Sequence, residues 1–376
     1  MNSPQSNRTP VAELPKARLV IRFAAIGALI VVIAGLFAYA GGWLTPNGLT
    51  QASMINTFQK VNGLHPGFRR NHAKGVCISG YFESNGRAVA LSKASVFAQG
   101  RVPIIGRFSL AGGHPHAADE PHSIRGMAIL FKLSDGEEWR TAMVDIPVFT
   151  ANSAQAFRDQ LLASAPDPAT GKPDPAKMKA FLAKYPASAK AMELIQSHPV
   201  SSGFDNSTFN SLNTFRFINS KGAVVPVRWS MVPFQPFQPV TEPTEGDKNY
   251  LFDALIASIH SHPLQWHLVV TIGQPEDPTN DPTIPWPPDR QQVDAGTSTI
   301  DRIESDDTPM HLAIHRPLGI LILISTAIRF INRICTKLPP FSPLVPSGKV
   351  PGFVIRETPL RSDLCHRRKK RRGNSQ

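Results

Sequence analysis

The stretch Gly67-Phe68-Arg69-Arg70-Asn71-His72-Ala73-Lys74-Gly75 runs directly into Val76-Cys77-Ile78-Ser79-Gly80-Tyr81-Phe82, and the reading of the fold turns on these sixteen residues. The second half is a β-prone run of branched and aromatic side chains. The first half sets one histidine two places behind a pair of arginines. Further on come Val102-Pro103-Ile104-Ile105-Gly106-Arg107-Phe108-Ser109, then Ile124-Arg125-Gly126-Met127-Ala128, then Asp145-Ile146-Pro147-Val148-Phe149. These read as short strands that bring a histidine and several arginines among apolar neighbours. Cationic side chains are seldom buried without an anion beside them. A dianionic ligand with a flat apolar body answers both demands, and haem is one such ligand.

The order Arg-x-x-His-Ala-Lys-Gly, Arg-Phe-Ser, Arg-Gly-x-Ala and Pro-Val-Phe resembles the haem catalases. The spelling Asn71-His72-Ala73-Lys74-Gly75 and the short length look most like the catalase-related peroxidases, the small branch of that family. The resemblance covers residues 64–303. It implies an α+β fold, a catalase-like antiparallel β-barrel with surrounding helices, and haem b as cofactor. It implies that His72 carries a proton between the oxygens of a bound peroxide, the work of a general acid–base group. Arg69 and Arg107 match positions that hold haem propionates, which suits the guanidinium fork. Ser109 matches a serine that supports the distal histidine, and Arg125 a position that is mainly structural. Val144 departs from the pattern. The family usually has an asparagine there, whose amide steers peroxide, and valine donates no hydrogen bond. Peroxidation with an external small-molecule reductant is therefore favoured over dismutation. Phe131 and Phe149 are candidates to pack near the haem, with ordinary core packing as the plainer reading.

Outside that frame, periodicity predicts about six strands over residues 73–148 and helices at 153–163, 175–184 and 187–197. Strands follow at 208–218, 224–231 and 264–272, with a helix over 247–261 carrying Leu251, Leu255, Ile256 and Ile259 on one side. Asp277, Asp281, Asp289 and Asp294 read as turn residues, since the chain lacks the glycine and glutamate of an EF-hand loop. Cys77, Cys335 and Cys365 show no metal-type spacing.

The chain has 376 residues, 35 prolines and a formal net charge of +12. From 310 to 376 there are 13 Lys/Arg against 2 Asp/Glu, and the preceding residues hold 27 against 26. The basicity thus belongs to the tail, and a nucleic-acid footprint on the folded body is not supported.

The residues fall into five segments. Residues 1–22 are basic and expected in the cytoplasm. Residues 23–44 are uncharged, and at ~1.5 Å per residue they suffice to cross a ~30 Å hydrocarbon core as an anchor or signal sequence. Positive charge ahead of the span places the globular part outside. The expected setting is a single-pass inner-membrane protein with its domain in the periplasm, or a secreted one cleaved near Ala40. Residues 45–64 read as a linker with a short helix at 51–61, and 65–305 as the haem domain. Residues 306–376 form an atypical basic tail whose abrupt composition suggests translation in a shifted frame. The family's tyrosinate iron ligand lies beyond the Trp-Pro segment, matched here by Trp286-Pro287, and no tyrosine follows Tyr250. His311 and His315 are the only histidines close behind that segment. The expected function is a haem peroxidase of hydrogen or organic peroxides, and the rival is an inactive haem-barrel relic without a proximal ligand.

Overall fold

The computed structural model describes residues 16–40, 49–134, 136–167, 169–240 and 247–304. The tail, with His311 and His315 and the proposed frame shift, lies outside the described residues. The first helix, α1 (Lys16–Ala40), contains one stretch long and apolar enough to cross a membrane, Val20–Tyr39, none of it buried. It starts ahead of the uncharged run, so Lys16, Arg18 and Arg22 lie on the helix rather than in a separate leading segment.

The supposed linker holds a second helix, α2 (Gln51–Asn62). Thr50 and Ser53 cap it reciprocally: Thr50 Oγ1 accepts from the Ser53 amide at 3.0 Å, and Ser53 Oγ accepts from the Thr50 amide at 2.8 Å. Met54 and Phe58 are buried, and Phe58 meets Phe157 edge-on at 6.0 Å. This helix is therefore docked onto the domain.

Residues 73–148 form four long strands rather than about six: β1 (Gly75–Ser84), β2 (Gly100–Leu110), β3 (Arg125–Lys132) and β4 (Glu138–Val144). Each is longer than the turn signals suggested, and two 3-10 turns, Arg87–Ala90 and Ser95–Phe97, fill the β1–β2 connection. Helices α3 (Ala154–Ala163), α4 (Pro175–Lys184) and α5 (Pro186–Ser197) follow. Asp174 starts α4 by accepting from the Ala176 amide at 2.8 Å, with Pro175 in the first turn, where its missing N–H costs nothing. The second run of strands is β5 (Phe209–Asn210), β6 (Phe215–Ile218), β7 (Val224–Pro233), β8 (Leu264–Ile272) and β9 (Gln292–Glu304), with α6 (Tyr250–Ser261) between β7 and β8.

All neighbouring strands are antiparallel, in the order β5-β4-β3-β2-β1-β9-β8-β7, and β7 pairs again with β5. That closes an eight-stranded barrel. β6 lies on the same flank of β7 as β5, so residues 208–218 are one strand broken in two. The break holds Leu212 at φ 56°, and Ser211 keeps hold of β7 by donating its amide to the Trp229 carbonyl at 2.9 Å. The lumen is filled: Phe82, Phe108, Ile129, Phe131, Trp266 and Leu268 are buried in one core, and α6 adds Leu251, Leu255 and Ile259. Phe131, stacked on Trp139 at 4.7 Å inside this core, is a packing residue and not a ligand contact. Asp294 lies in β9 and not in a turn, pairing with His267 at 3.3 Å.

Candidate active site on the outer wall

Strand alternation decides which side chains leave the barrel. On β2, Ile104, Phe108 and Leu110 belong to the core, so Ile105, Arg107 and Ser109 face outward. The same holds on β3 for Gly126, Ala128 and Leu130, and on β4 for Ala142 and Val144. In register these form rows across the outer wall: Gly75–Ser109–Gly126–Val144, then Cys77–Arg107–Ala128–Ala142.

His72 reaches this wall from the loop between α2 and β1. Its backbone sits at φ 55°, in the left-handed region. The loop is tied on several sides. The Gly112 amide donates to Asn71 Oδ1 at 2.9 Å, the Ala73 amide to the Gly112 carbonyl at 3.0 Å, and Asn62 Nδ2 to the Arg70 carbonyl at 3.1 Å. Lys74 forms an ion pair with the fully buried Asp119 at 2.6 Å and donates to the carbonyls of Ala117 and Lys248. Asp119 in turn accepts from the Leu251 amide at 3.0 Å, so the lysine of the His-Ala-Lys-Gly run fastens the loop to α6.

The imidazole lies against the wall. His72 Nδ1 faces Ser109 Oγ at 3.1 Å. A Cβ built on Gly126 would stand 3.3 Å from both Cε1 and Nδ1 of His72, so the ring rests so close to this glycine that any Cβ would have to push it aside by a few tenths of an ångström. Burial, then Arg107, then Arg69 lower the His72 pKa to about 4, which leaves the ring neutral at ordinary pH.

Arg69 is half-buried in the same loop. Arg107, expected to hold a carboxylate, donates through its terminal nitrogens to the carbonyls of His72 at 2.8 Å and Ala73 at 3.0 Å. Arg125 is structural. Its amide and guanidinium both hold Asp145, at 2.8 and 3.4 Å, and the guanidinium also reaches Ser201 and the Pro121 carbonyl. Burial outweighs Arg125 and raises the Asp145 pKa to about 6. Phe149 packs on Phe157 of α3, 5.3 Å between ring centres. Lys74 holds the His72 loop and Gly126 leaves room for its ring, contacts to which the motif alone assigned no part. A glycine inside a β-prone run is the signal that marks such a close approach.

A filled barrel with a neutral imidazole on its outer wall, backed by serine and flanked by arginines, defines the class. The profile of the family described as Catalase matches residues 44–290. The catalase-related peroxidase of Synechococcus elongatus is 36% identical over 255 residues, covering 67% of this chain and 75% of that protein. That of Mycolicibacterium paratuberculosis is 29% identical over 256 residues, covering 67% and 80%. The chain belongs to the catalase family. In fold it is similar to a fungal catalase and to catalase A from Saccharomyces cerevisiae, each at TM-score 0.57 and 19% identity over 68% of this chain. The chain spans about half the length of these solved catalases, 54% and 56%.

That family typically binds haem, and this wall fits one face of it. Gly126, Ala128, Ala142 and Val144 make a low platform of small side chains, with Ala128 and Ala142 partly exposed above the buried Ile105 and Leu130. Two arginines beside a neutral histidine supply the positive field that a dianionic ligand requires. Among the described residues no tyrosine is placed to match the opposite face. Tyr39 lies in α1, Tyr81 is stacked under Arg101 at 3.3 Å, Tyr185 donates to Asp159 at 2.6 Å, and Tyr250 opens α6.

Proposed function

We propose that the chain is a haem-dependent peroxidase that reduces hydrogen or organic peroxides with an external small-molecule donor, with His72 as its acid–base group. Bound haem would supply the redox chemistry on the peroxide. Arg69 would hold a carboxylate of that group, and the small-residue platform would carry its flat body. The observation that carries the reading is the seating of His72. With Nδ1 turned to Ser109, Nε2 is the nitrogen presented to the reactant. A ring that stays neutral down to about pH 4 can accept a peroxide proton and return it to the departing oxygen. Val144 adds the preference for an external donor. It stands in the row of Gly126, and the amide of its register partner Asn210 is committed at both ends, to the Ile146 carbonyl at 3.1 Å and to Ser230 Oγ at 2.7 Å. Valine itself offers peroxide no side-chain amide at that position.

One observation favours a second reading, an inactive relic. No tyrosine follows Tyr250, so the family's tyrosinate ligand is missing from this sequence. The anchor reading of residues 23–44 completes the proposal: an inner-membrane protein with residues 1–22 in the cytoplasm and the barrel, 65–305, in the periplasm, or a secreted form cleaved near Ala40.

The test is reconstitution of the purified chain with hemin, followed by absorption spectra and peroxidase turnover of wild type and His72→Ala. A stoichiometric complex whose turnover falls about 10²-fold in the variant, with haem content unchanged, supports the enzyme. A chain that takes up no haem supports the relic.

A further inference from the structure

Arg107 is one of the largest fully buried side chains in the molecule, at 1% exposure. Its fork closes on two consecutive main-chain carbonyls, those of His72 and Ala73, at 2.8 and 3.0 Å. The space for this contact is built into the partner strand. A Cβ on Gly75 would stand 2.5 Å from Arg107 Cζ and 2.4 Å from the Phe108 carbonyl oxygen. Gly75 is the last letter of the His-Ala-Lys-Gly run, and it is the residue that lets the guanidinium pass beneath the loop.

The loop needs such a hold. An L-residue in the left-handed region is disfavoured by the clash of its Cβ with the following carbonyl oxygen, and it persists only where its surroundings over-determine it. His72, at φ 55°, is in that position. Rotating its backbone toward the ordinary region would swing both carbonyls off the guanidinium and carry the imidazole off Ser109 and Gly126. Two charge-assisted hydrogen bonds, each stronger than a neutral one, are enough to decide that balance.

We propose that Arg107 is a positioning residue, which fixes the left-handed backbone of His72 through two carbonyls and so seats the imidazole on the outer wall. The inference rests on His72 being the reacting group, but the hold itself exists without any cofactor. Both Arg107 and Arg69 disfavour protonation of His72, and Arg107 in addition grips its main chain. Lysine keeps the charge of Arg107 but is a point donor, which does not span two carbonyls in the fixed geometry of a guanidinium.

The experiment uses the full chain without haem, 15N-labelled at histidine, with the His72 signal assigned by its loss in His72→Ala. Ring-nitrogen shifts report the tautomer and the titration midpoint. The wild type is expected to show one dominant tautomer and a midpoint near 4. In Arg107→Met and Arg107→Lys the ring should become a tautomer mixture, while Arg69→Met should move the midpoint and leave the tautomer alone. A wild-type tautomer in both Arg107 variants overturns the proposal. So does loss of cooperative unfolding in both, because a positioning role requires that the barrel survive. Since no turnover is measured, the outcome is independent of whether the chain is a working peroxidase.

Discussion

Adding a single methyl group at Gly126 probes the seat of His72 with little disturbance elsewhere. In Gly126→Ala the new Cβ meets Ser109 Oγ at 3.2 Å and His72 Cε1 and Nδ1 at 3.3 Å. Ordinary carbon contacts lie at about 3.5–4.0 Å, so the encroachment is about 0.2–0.7 Å on the same edge of the ring. The ring yields by moving outward. That stretches the Nδ1–Oγ separation from 3.1 Å to about 3.3–3.8 Å, where a hydrogen bond is weak. A misplacement of about 1 Å costs about 10² in rate, so this smaller shift should lower kcat roughly 10-fold with KM little changed. Stability should barely move. Mild overpacking costs about 1 kcal/mol, and replacing a strand glycine with alanine returns about 0.5–1 kcal/mol. The assay is peroxide-dependent turnover of the hemin-loaded chain beside a urea melt. In Gly126→Ala/Ser109→Ala the lost hydroxyl makes room for the methyl, and the double variant should be no slower than Ser109→Ala alone. A kcat within twofold of wild type, or a loss explained by unfolding, would refute the reasoning.

Acid should reveal two opposed groups. His72, lowered to about 4, gives stability present above pH 6.5 and lost as pH falls, whereas Asp145, raised to about 6, gives stability present below pH 3.8 and lost as pH rises. Between about pH 4 and 6 the two nearly cancel: the urea midpoint should then fall with rising pH in His72→Ala and rise with it in Asp145→Asn. Inside the barrel, Trp229 Nε1 donates to Thr141 Oγ1 at 3.0 Å, both groups buried. Thr141→Val should cost about 1–3 kcal/mol, read as a lower urea midpoint at unchanged slope. On the outer wall, Val144→Asn should raise oxygen evolution from hydrogen peroxide in the haem-loaded chain, and unchanged evolution would show that the missing amide is not what limits dismutation.

Legibility in the sequence followed local signals. Leu264–Ile272 alternates so regularly that its strand bounds were readable to the residue, and the Asp174-Pro175 start did the same for α4. β9 escaped because its Gln, Asp, Thr, Ser and Arg residues carry no apolar alternation; its pairing with both β1 and β8 comes from backbone partners that no local pattern announces. The gap between β5 and β6 turns on one left-handed leucine, which composition does not mark. At the site, His72 and Ser109 were legible as a motif, and the structure puts them 3.1 Å apart. The work of Arg107 was not legible. A guanidinium suits carboxylates and carbonyls alike, and its contacts with the His72 and Ala73 carbonyls depend on the three-dimensional path of the loop.

The barrel's first strand finds one of its two neighbours at the far end of the domain. Ser79 of β1 donates to Glu304 of β9 across 225 positions of chain, at 2.7 Å. Until Glu304 has left the ribosome, β1 has one open edge and the wall bearing His72 has no closed cylinder behind it. Loop-closure entropy makes such distant pairing slow. A nascent chain of this design therefore stays open late, with strand edges available for mispairing. The cost of that delay falls on the unfinished chain, whose yield depends on how long its open strand edges stay unpaired.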